Sequence, residues 1–364
     1  KEAHYIYQAV YSGKISGNGA YTQKCQHFFQ QKYGFSKALL TSSCTDALEM
    51  CGLLIDIKEG DEVILPSYTF VSTANAFMLR GAKLVFADCL ASHPNLDTKQ
   101  LVDLINPNTK AIVVVHYGGV ACDMEPVLAL AQQHQLYVIE DAAQAIDAYY
   151  QDQPLGSLGD LGTFSFHESK NIIAGEGGLL SINKPEFTQR AEIIWEKGTN
   201  RAAFWRGEVS KYEWLDIGSS YLPSEITAAF LYAQLENLDQ IQQKRIQDWD
   251  LYYSLLSPLA PKIQLPIIPD YAQNNGHLFY IICTHREERK ALIEFLKKNG
   301  ILAVFHYLCL HQSPFFKDKH DGRSLPQAER FADCLLRLPM YYELKAEEIH
   351  LICQKIKAFY ENRF

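Results

Sequence analysis

The sequence predicts an α/β fold: a large, mainly parallel β-sheet covered by helices on both faces, followed by a smaller α+β domain. Three observations predict it. Short continuous apolar runs alternate with amphipathic stretches over residues 38–182, the pattern of strands buried on both faces and joined by crossover helices. A long helical stretch covers residues 224–256. Prolines at 258, 261, 266 and 269 then break the pattern and mark a boundary, dividing the chain into residues 1–257 and 258–364.

The elements follow in order. "ALLT" (38–41) is a strand, and Leu48, Cys51 and Ile55 share one face of the helix after it. "EVIL" (62–65) precedes a helix over 69–79, "KLVFAD" (83–88) a helix near Leu101, and "AIVVVH" (111–116) a helix over 124–134. "LYVIED" (136–141) and "LGTFSF" (161–166) complete the run, and "GLLSI" reads as a further strand. In the stretch 224–256, Ile226, Ala229, Phe230 and Ala233 line one helical face. In the C-terminal part, "HLFYIICT" (277–284) and "ILAVFHY" (301–307) read as strands and 287–298 as a helix.

Composition excludes several classes of function. The 364 residues are 48% hydrophobic and 21% charged, with a net charge of -8 and no basic block, which argues against nucleic acid as a partner. No apolar run reaches the length of a membrane span. The nine cysteines are scattered, with no C-x-x-C, and the histidines show no H-x-x-x-H. This predicts reduced thiols in a cytoplasmic setting and no metal site. The chain opens on Lys1-Glu2 without a signal-peptide pattern and without Met, so a few preceding residues are expected.

Ligands of such sheets bind beyond the carboxyl ends of the strands. There "TSSCTDALEM" opens a helix, whose first amides point outward unsatisfied and either cap locally or hold an anion such as a phosphate. Cys44 and Thr45 stand at that start. Asp141 ends an apolar strand and is either a helix cap or a buried carboxylate in need of a cation. Gln144 follows three residues later. Tyr68 and Phe70 are either core rings or a stacking wall for a planar ligand. Lys170 sits between two apolar strands, with Ser165 before it and Gly175, Gly177 and Gly178 after it. It is either a solvated loop lysine or an amine nucleophile held in a site. Lysine, carboxylate, phosphate cradle and aromatic wall together are what pyridoxal 5'-phosphate requires.

The chain resembles the DegT/DnrJ/EryC1/StrS family of sugar-nucleotide aminotransferases. The resemblance is carried by "SGKISGNGAYTQKCQHFFQQKYG", "TSSCTDALEM", "GDEVILPSYTFVSTANAF", "VVVHYGGVACDM", "VIEDAAQA", "FSFHESKNIIAGEGG", "DIGSSYLPSEITAA", "FHYLCLHQSPFF" and "RLPMYY". "FSFHESKN" and "DIGSSYLPSEITAA" look closest to the subgroup acting on TDP-4-keto-6-deoxy-D-glucose. The resemblance implies the PLP-dependent fold type I, like that of aspartate aminotransferase, with a seven-stranded sheet. It implies Lys170 as the Schiff-base lysine and proton shuttle, and Asp141 as partner of the pyridine nitrogen. It implies Gln144 at the ring hydroxyl, Ser165, Cys44 and Thr45 at the phosphate, and Phe70 stacked on the ring.

It further implies a homodimer with shared active sites, L-glutamate as amino donor, 2-oxoglutarate as its product, and a pyridoxamine 5'-phosphate form in the cycle. The family's neighbouring-subunit loop carries an Asn for the phosphate; here Gly218-Ser219-Ser220-Tyr221-Leu222 stands instead, and Ser220 is the substitute donor. Arg201, Arg206, His306, Tyr307 and His311 are candidates for the sugar-nucleotide site, while His167 receives no role. Dehydratase relatives replace the lysine by histidine, so Lys170 argues against that branch, and no cysteine run supports an iron–sulfur relative. Amination at C3, and a non-catalytic regulatory relative, stay open as alternatives.

Overall fold

In the computed structural model, which describes residues 1–361, the N-terminal part is built on one seven-stranded sheet. Its strands are β1 (Lys37–Thr41), β2 (Glu62–Pro66), β3 (Lys83–Ala87), β4 (Thr109–Val115), β5 (Tyr137–Asp141), β6 (Leu161–Ser165) and β7 (Gly178–Ile182). The spatial order is β1-β7-β6-β5-β4-β2-β3. The contiguous β6-β5-β4-β2-β3 pairings are parallel, and β7 runs antiparallel to both β1 and β6. The sequence expectation of a mainly parallel, doubly covered sheet therefore holds. Alternation divides the strands between two cores: Val113 and Ile139 belong to one, while Ile112, Val114 and Val138 belong to the other. Each such fully buried aliphatic side chain contributes about 1.5–3 kcal/mol.

Because all strands except β7 run the same way, one edge of the sheet collects their carboxyl ends. Thr41, Pro66, Asp141 and Ser165 end their strands there, and Gly178 begins β7 opposite Thr41 and Ser165. The helices α1 (Glu2–Tyr11) and α2 (Ala20–Tyr33) precede the sheet in the chain, and two helices leave this edge directly, α3 (Cys44–Leu54) and α4 (Val71–Met78). Ser43 caps α3 by accepting the Asp46 amide at 3.1 Å, the usual way a serine satisfies an orphan donor.

Differences from the sequence reading have local causes. The expected helix over 224–256 is two helices, Glu225–Leu235 and Leu238–Leu256. At the break the Asn237 side chain donates to the Ala233 carbonyl at 2.8 Å, substituting for the backbone donor of a continuing helix. The first of these helices begins with the buried Glu225, whose carboxylate accepts the amides of Gly19, Tyr21 and Thr22 at 2.9, 2.7 and 3.0 Å. It thereby satisfies the start of the helix Ala20–Tyr33 from a distance.

The C-terminal sheet has three short antiparallel strands: Tyr280–Ile282, then Leu335–Arg337 in the centre, then Val304–Phe305. The two predicted strands are shorter than expected, and the central one was not anticipated. On that strand Leu336 faces a core closed by the helices Arg286–Lys298 and Ala346–Glu361, while Leu335 faces the core of the large sheet. The C-terminal core also takes Trp249, Tyr252 and Leu256 from the helix Leu238–Leu256. The domain division at 257/258 is thus a proposal that leaves this helix spanning toward both parts.

Candidate active site

At the carboxyl edge of the large sheet, where the small sheet faces it, lies a cavity of about 1010 Å³. Its lining includes Ser43, Cys44 and Thr45 from the start of α3, Phe70 and Thr73 beside and within α4, and Asp141 and Gln144 after β5. Ser165 and Lys170 enter from the β6–β7 connection, and His306, Tyr307 and Arg337 from the small domain. The topology brings these distant segments together because each follows or faces a strand end on the same edge.

Lys170 is half-buried in this cavity. Among the described residues its Nζ has no hydrogen bond or ion pair. Its backbone is fixed, the amide donating to the His167 carbonyl at 2.9 Å. Burial pushes its ammonium pKa down, and Cys44 and Asp141 partly oppose the shift. The amine is therefore available in neutral form to a greater degree than a solvated lysine.

Asp141 is 5% exposed. Its carboxylate accepts the Thr73 hydroxyl at 2.7 Å and the Ala143 amide at 3.1 Å, with no cation within ion-pair distance among the described residues. Burial pushes its pKa up, against the opposing effect of those two bonds. The preceding residue shows why only one of the two acids faces the cavity. Glu140 points to the other side of β5, where it accepts the amides of Gly156, Leu158 and Gly159 and meets His116 at 2.9 Å.

The start of α3 forms the third part. The first intrahelical bond is Ala47 to Ser43 at 3.3 Å, so the Cys44 and Thr45 amides precede it and face the cavity without helical acceptors. Gly178 makes this approach possible: a Cβ there would collide with the Cys44 amide nitrogen and the Ser43 carbonyl. The Thr45 hydroxyl donates to Ser72 at 2.8 Å. Phe70 is 56% exposed and stands 6.2 Å, ring to ring, from Tyr307. Gln144 accepts the Gly118 amide at 2.7 Å and donates to the Tyr307 hydroxyl at 2.8 Å, which leaves one amide hydrogen free.

These groups fit pyridoxal phosphate on grounds independent of any likeness. A half-buried amine lacks a partner, a buried carboxylate lacks a cation, and a helix start lacks an anion, all around one void. The cofactor supplies an aldehyde, a protonated ring nitrogen and a phosphate.

The other sequence candidates divide. His306 and Tyr307 line the cavity and stack on each other at 3.7 Å. The His306 Nδ1 meets the Tyr117 hydroxyl at 2.7 Å, and burial brings its pKa down to about 2. Tyr307 has its phenol pKa raised by burial. His311 is not part of the lining; it bonds Ser67 at 2.7 Å and reaches Glu329 at 3.3 Å. Arg201 and Arg206 lie outside the cavity of their own chain. Arg206 pairs with Glu192 and Glu208 at 2.8 and 2.7 Å, and Arg201 reaches Glu196 at 3.9 Å. Ser220 is also outside it, bridged to Glu196. Tyr68 is a core residue whose hydroxyl donates to the His306 carbonyl, so the stacking wall falls to Phe70 alone.

Sequence reasoning missed Thr73 and Arg337. Both lie inside quoted motifs, "PSYTFVSTANAF" and "RLPMYY". Their signal was positional: Thr73 is one turn after Thr69, and Arg337 is a charge inside an otherwise apolar run.

The family model of the DegT/DnrJ/EryC1/StrS aminotransferases matches residues 1–357. GDP-perosamine synthase of Escherichia coli O157:H7 is 30% identical over 100% of this chain and 96% of its own length. A "Pleiotropic regulatory protein" of Geobacillus stearothermophilus is 34% identical over 87% of this chain and 83% of its own length. The crystal structure of DesV from S. venezuelae superposes with a TM-score of 0.91 at 29% identity, covering 99% of this chain and 94% of that one. These findings fit the cavity chemistry, and solved relatives of the same fold exist in pyridoxal- and pyridoxamine-phosphate forms. The chain belongs to the DegT/DnrJ/EryC1/StrS aminotransferase family, whose members are pyridoxal-phosphate-dependent sugar aminotransferases of fold type I.

Proposed function

We propose that this enzyme transfers the amino group of L-glutamate to a nucleotide-linked 4-keto-6-deoxy-hexose, TDP-4-keto-6-deoxy-D-glucose being the favoured acceptor. The product is a TDP-amino-dideoxy sugar for a surface polysaccharide such as O-antigen. The observation that carries the transaminase reading is the pairing of a free Lys170 amine with a cation-free Asp141 carboxylate in one cavity. The choice of sugar rests on the "FSFHESKN" and "DIGSSYLPSEITAA" segments.

Bound pyridoxal phosphate supplies an electrophilic carbon for amines and a cationic ring that accepts the electron pair left when a proton departs. The chain's residues do the rest. Lys170 would hold the cofactor between turnovers; once displaced by the amino donor, its amine would take the donor's α-proton and deliver it to the cofactor carbon on the far side of the donor nitrogen. Asp141, fixed by Thr73 and Ala143, keeps the ring nitrogen protonated. The Cys44 and Thr45 amides and the Ser165 hydroxyl hold the phosphate, Gln144 orients the ring hydroxyl, and Phe70 covers a ring face. His306, neutral throughout the working pH range, and Tyr307 border the sugar, with His311 positioning the loop behind them. Ser220, Arg201 and Arg206 serve across a homodimer interface: each lies away from its own cavity, and a second copy offers them another. No helix of the described residues is long and apolar enough to cross a membrane, in keeping with a cytoplasmic enzyme.

The name of the regulatory relative raises a second reading, in which the cofactor only signals. The complete lysine, aspartate and glutamine set favours catalysis. Turnover against a panel of 3-keto and 4-keto sugar nucleotides, with product configuration by NMR, tests the proposal. A 4-amino product from the TDP sugar supports it, and a 3-amino product overturns the substrate assignment. No conversion of the cofactor's absorbance by any amino donor favours the regulatory reading.

A further inference from the structure

Asn171 follows Lys170 in the chain, is buried, and stays out of the cavity lining. Its Nδ2 donates to the Asn275 carbonyl and to Gln242 Oε1, each at 2.9 Å. Both amide hydrogens are thereby used, and Oδ1 is left as a pure acceptor. What it meets is His277 Nδ1, at 2.8 Å, so the imidazole proton sits on Nδ1. His277 is itself buried and lines the cavity with Lys170. Burial, with the charges of Lys170, Arg245, Arg337 and His306 around it, drives its pKa well below the ordinary value. The ring is therefore neutral, and Nε2 carries a bare lone pair. Among the described residues Nε2 has no partner. The backbone of His277 is held on both sides: its amide donates to Asn275 Oδ1 at 3.0 Å, and its carbonyl accepts Arg245 at 2.9 Å. Asn275 is fixed in turn by the Gln144 and Ile146 carbonyls, at 2.9 and 2.8 Å. His306 differs: its Nδ1 meets the Tyr117 hydroxyl, which can donate or accept, so that bond leaves its tautomer open.

We propose that the Nε2 lone pair of His277 accepts a hydrogen from the protonated Lys170 amine and holds the lysine in place while it carries its proton, a positioning role that rests on the transaminase reading above. A lysine that has taken a proton is a cation in a desolvated cavity and needs an acceptor. Two groups favour the ammonium, Cys44 and Asp141, and Arg337 opposes it. Burial keeps the Cys44 thiol protonated, and in that reading Asp141 is engaged at the ring nitrogen of the cofactor. A neutral imidazole lone pair is the acceptor that remains, and Lys170 is the charge that acts on His277 most strongly. The proton stays on Nζ, because an imidazole held so far below its ordinary pKa does not compete for it. Asn171 couples the two residues: it adjoins the lysine and fixes the tautomer. With the other tautomer, Nε2–H would face the N–H of the ammonium and repel it.

The test uses the full chain loaded with pyridoxamine 5'-phosphate, in which Lys170 is free. Acetic anhydride labels the amine from about pH 6 to 10, and mass spectrometry reads the acetylated Lys170 peptide. H277N keeps a donor to Asn171 and lacks the atom at the Nε2 position. H277Q places an amide oxygen at that position and lacks the donor to Asn171. Losing the acceptor destabilises the ammonium, so Lys170 of H277N is expected to become reactive about one to two pH units lower than in wild type. H277Q is expected to keep the wild-type profile. An unchanged H277N profile overturns the inference, whether or not H277Q shifts, since His277 would then only tether Asn171. Equal shifts in both variants overturn it as well. Nitrogen-15 NMR of His277 in the wild type reads the tautomer without any substitution that could misfold. A protonated Nδ1 and a bare Nε2 support the inference, and a protonated Nε2 overturns it. Labelling of Lys170 at an equal rate in the pyridoxal-phosphate-loaded protein, where the cofactor should shield it, overturns the transaminase reading itself.

Discussion

Replacing Asp141 by Asn separates what the carboxylate costs the empty protein from what it does for the cofactor. The substitution keeps the shape. Asn Oδ1 still accepts the Ala143 amide, bonded at 3.1 Å in the parent. Its Nδ2 can donate to the Thr73 hydroxyl oxygen, whose own proton can turn to Thr69, 3.0 Å away. What disappears is a carboxylate that is 5% exposed and has no cation. A desolvated charge held by only two hydrogen bonds destabilises the apo fold by about 1–3 kcal/mol.

The sign follows from linkage. The folded carboxyl has a pKa above its ordinary 3.8, so the native state holds a proton that the unfolded state has already lost. Stability from this group is present below about pH 4 and is lost as pH rises through the raised value. Apo D141N is therefore expected to melt higher than apo wild type at pH 7, by roughly 2 °C per kcal/mol, with the gap closing as pH falls toward 4. With cofactor present the order reverses, because the pyridinium loses its counter-charge. Breaking such a buried pair costs about 3–5 kcal/mol, so cofactor retention by D141N is expected to fall by about two to four orders of magnitude. Differential scanning calorimetry of both proteins, with and without cofactor, checks this. Apo D141N melting lower than apo wild type at pH 7, or equal cofactor retention, would refute the reasoning.

Lys170→Ala is expected to abolish multiple turnover while leaving the fold intact, checked by circular dichroism and steady-state assay. Gly178→Ala puts a methyl group into the start of α3; a loss of about 1–3 kcal/mol in stability and weaker phosphate binding are expected, read by thermal melts and cofactor titration. Thr73→Val removes the hydroxyl donor to Asp141 and is expected to weaken cofactor retention by about 1.5–3 kcal/mol without moving the KM for the sugar nucleotide. His306, with its pKa near 2, is expected to add no limb to the pH–rate profile between pH 5 and 9, so H306Q should keep the wild-type profile shape.

Much of the site was legible in the sequence because it sits on elements with strong local signals. Asp141 ends a run of apolar residues, so its place at a strand end follows from "LYVIED" alone. Ser43 and the residues after it carry a helix start that hydrogen bonding confirms. Lys170 was legible through its flanking strands and glycines, although the role of Gly178 lies in its fit against α3, which no spacing reveals. What stayed hidden depends on tertiary pairing. The strand Leu335–Arg337 has three residues, too few to show a period, and its existence is fixed by partners at 280–282 and 304–305. Arg337 was invisible for the same reason: only the pairing of that strand fixes the alternation that turns it toward the cavity. The break at Asn237 depends on a side-chain bond to Ala233 that competes with the helix, inside a stretch whose apolar spacing continues through it.

The most direct measurement is reduction of the yellow holoenzyme with borohydride, followed by proteolysis and mass spectrometry of the labelled peptide. The account predicts one phosphopyridoxyl group, on Lys170 and on no other lysine. A label on a different lysine, or a purified protein that takes up no cofactor when supplied with pyridoxal phosphate, would contradict it.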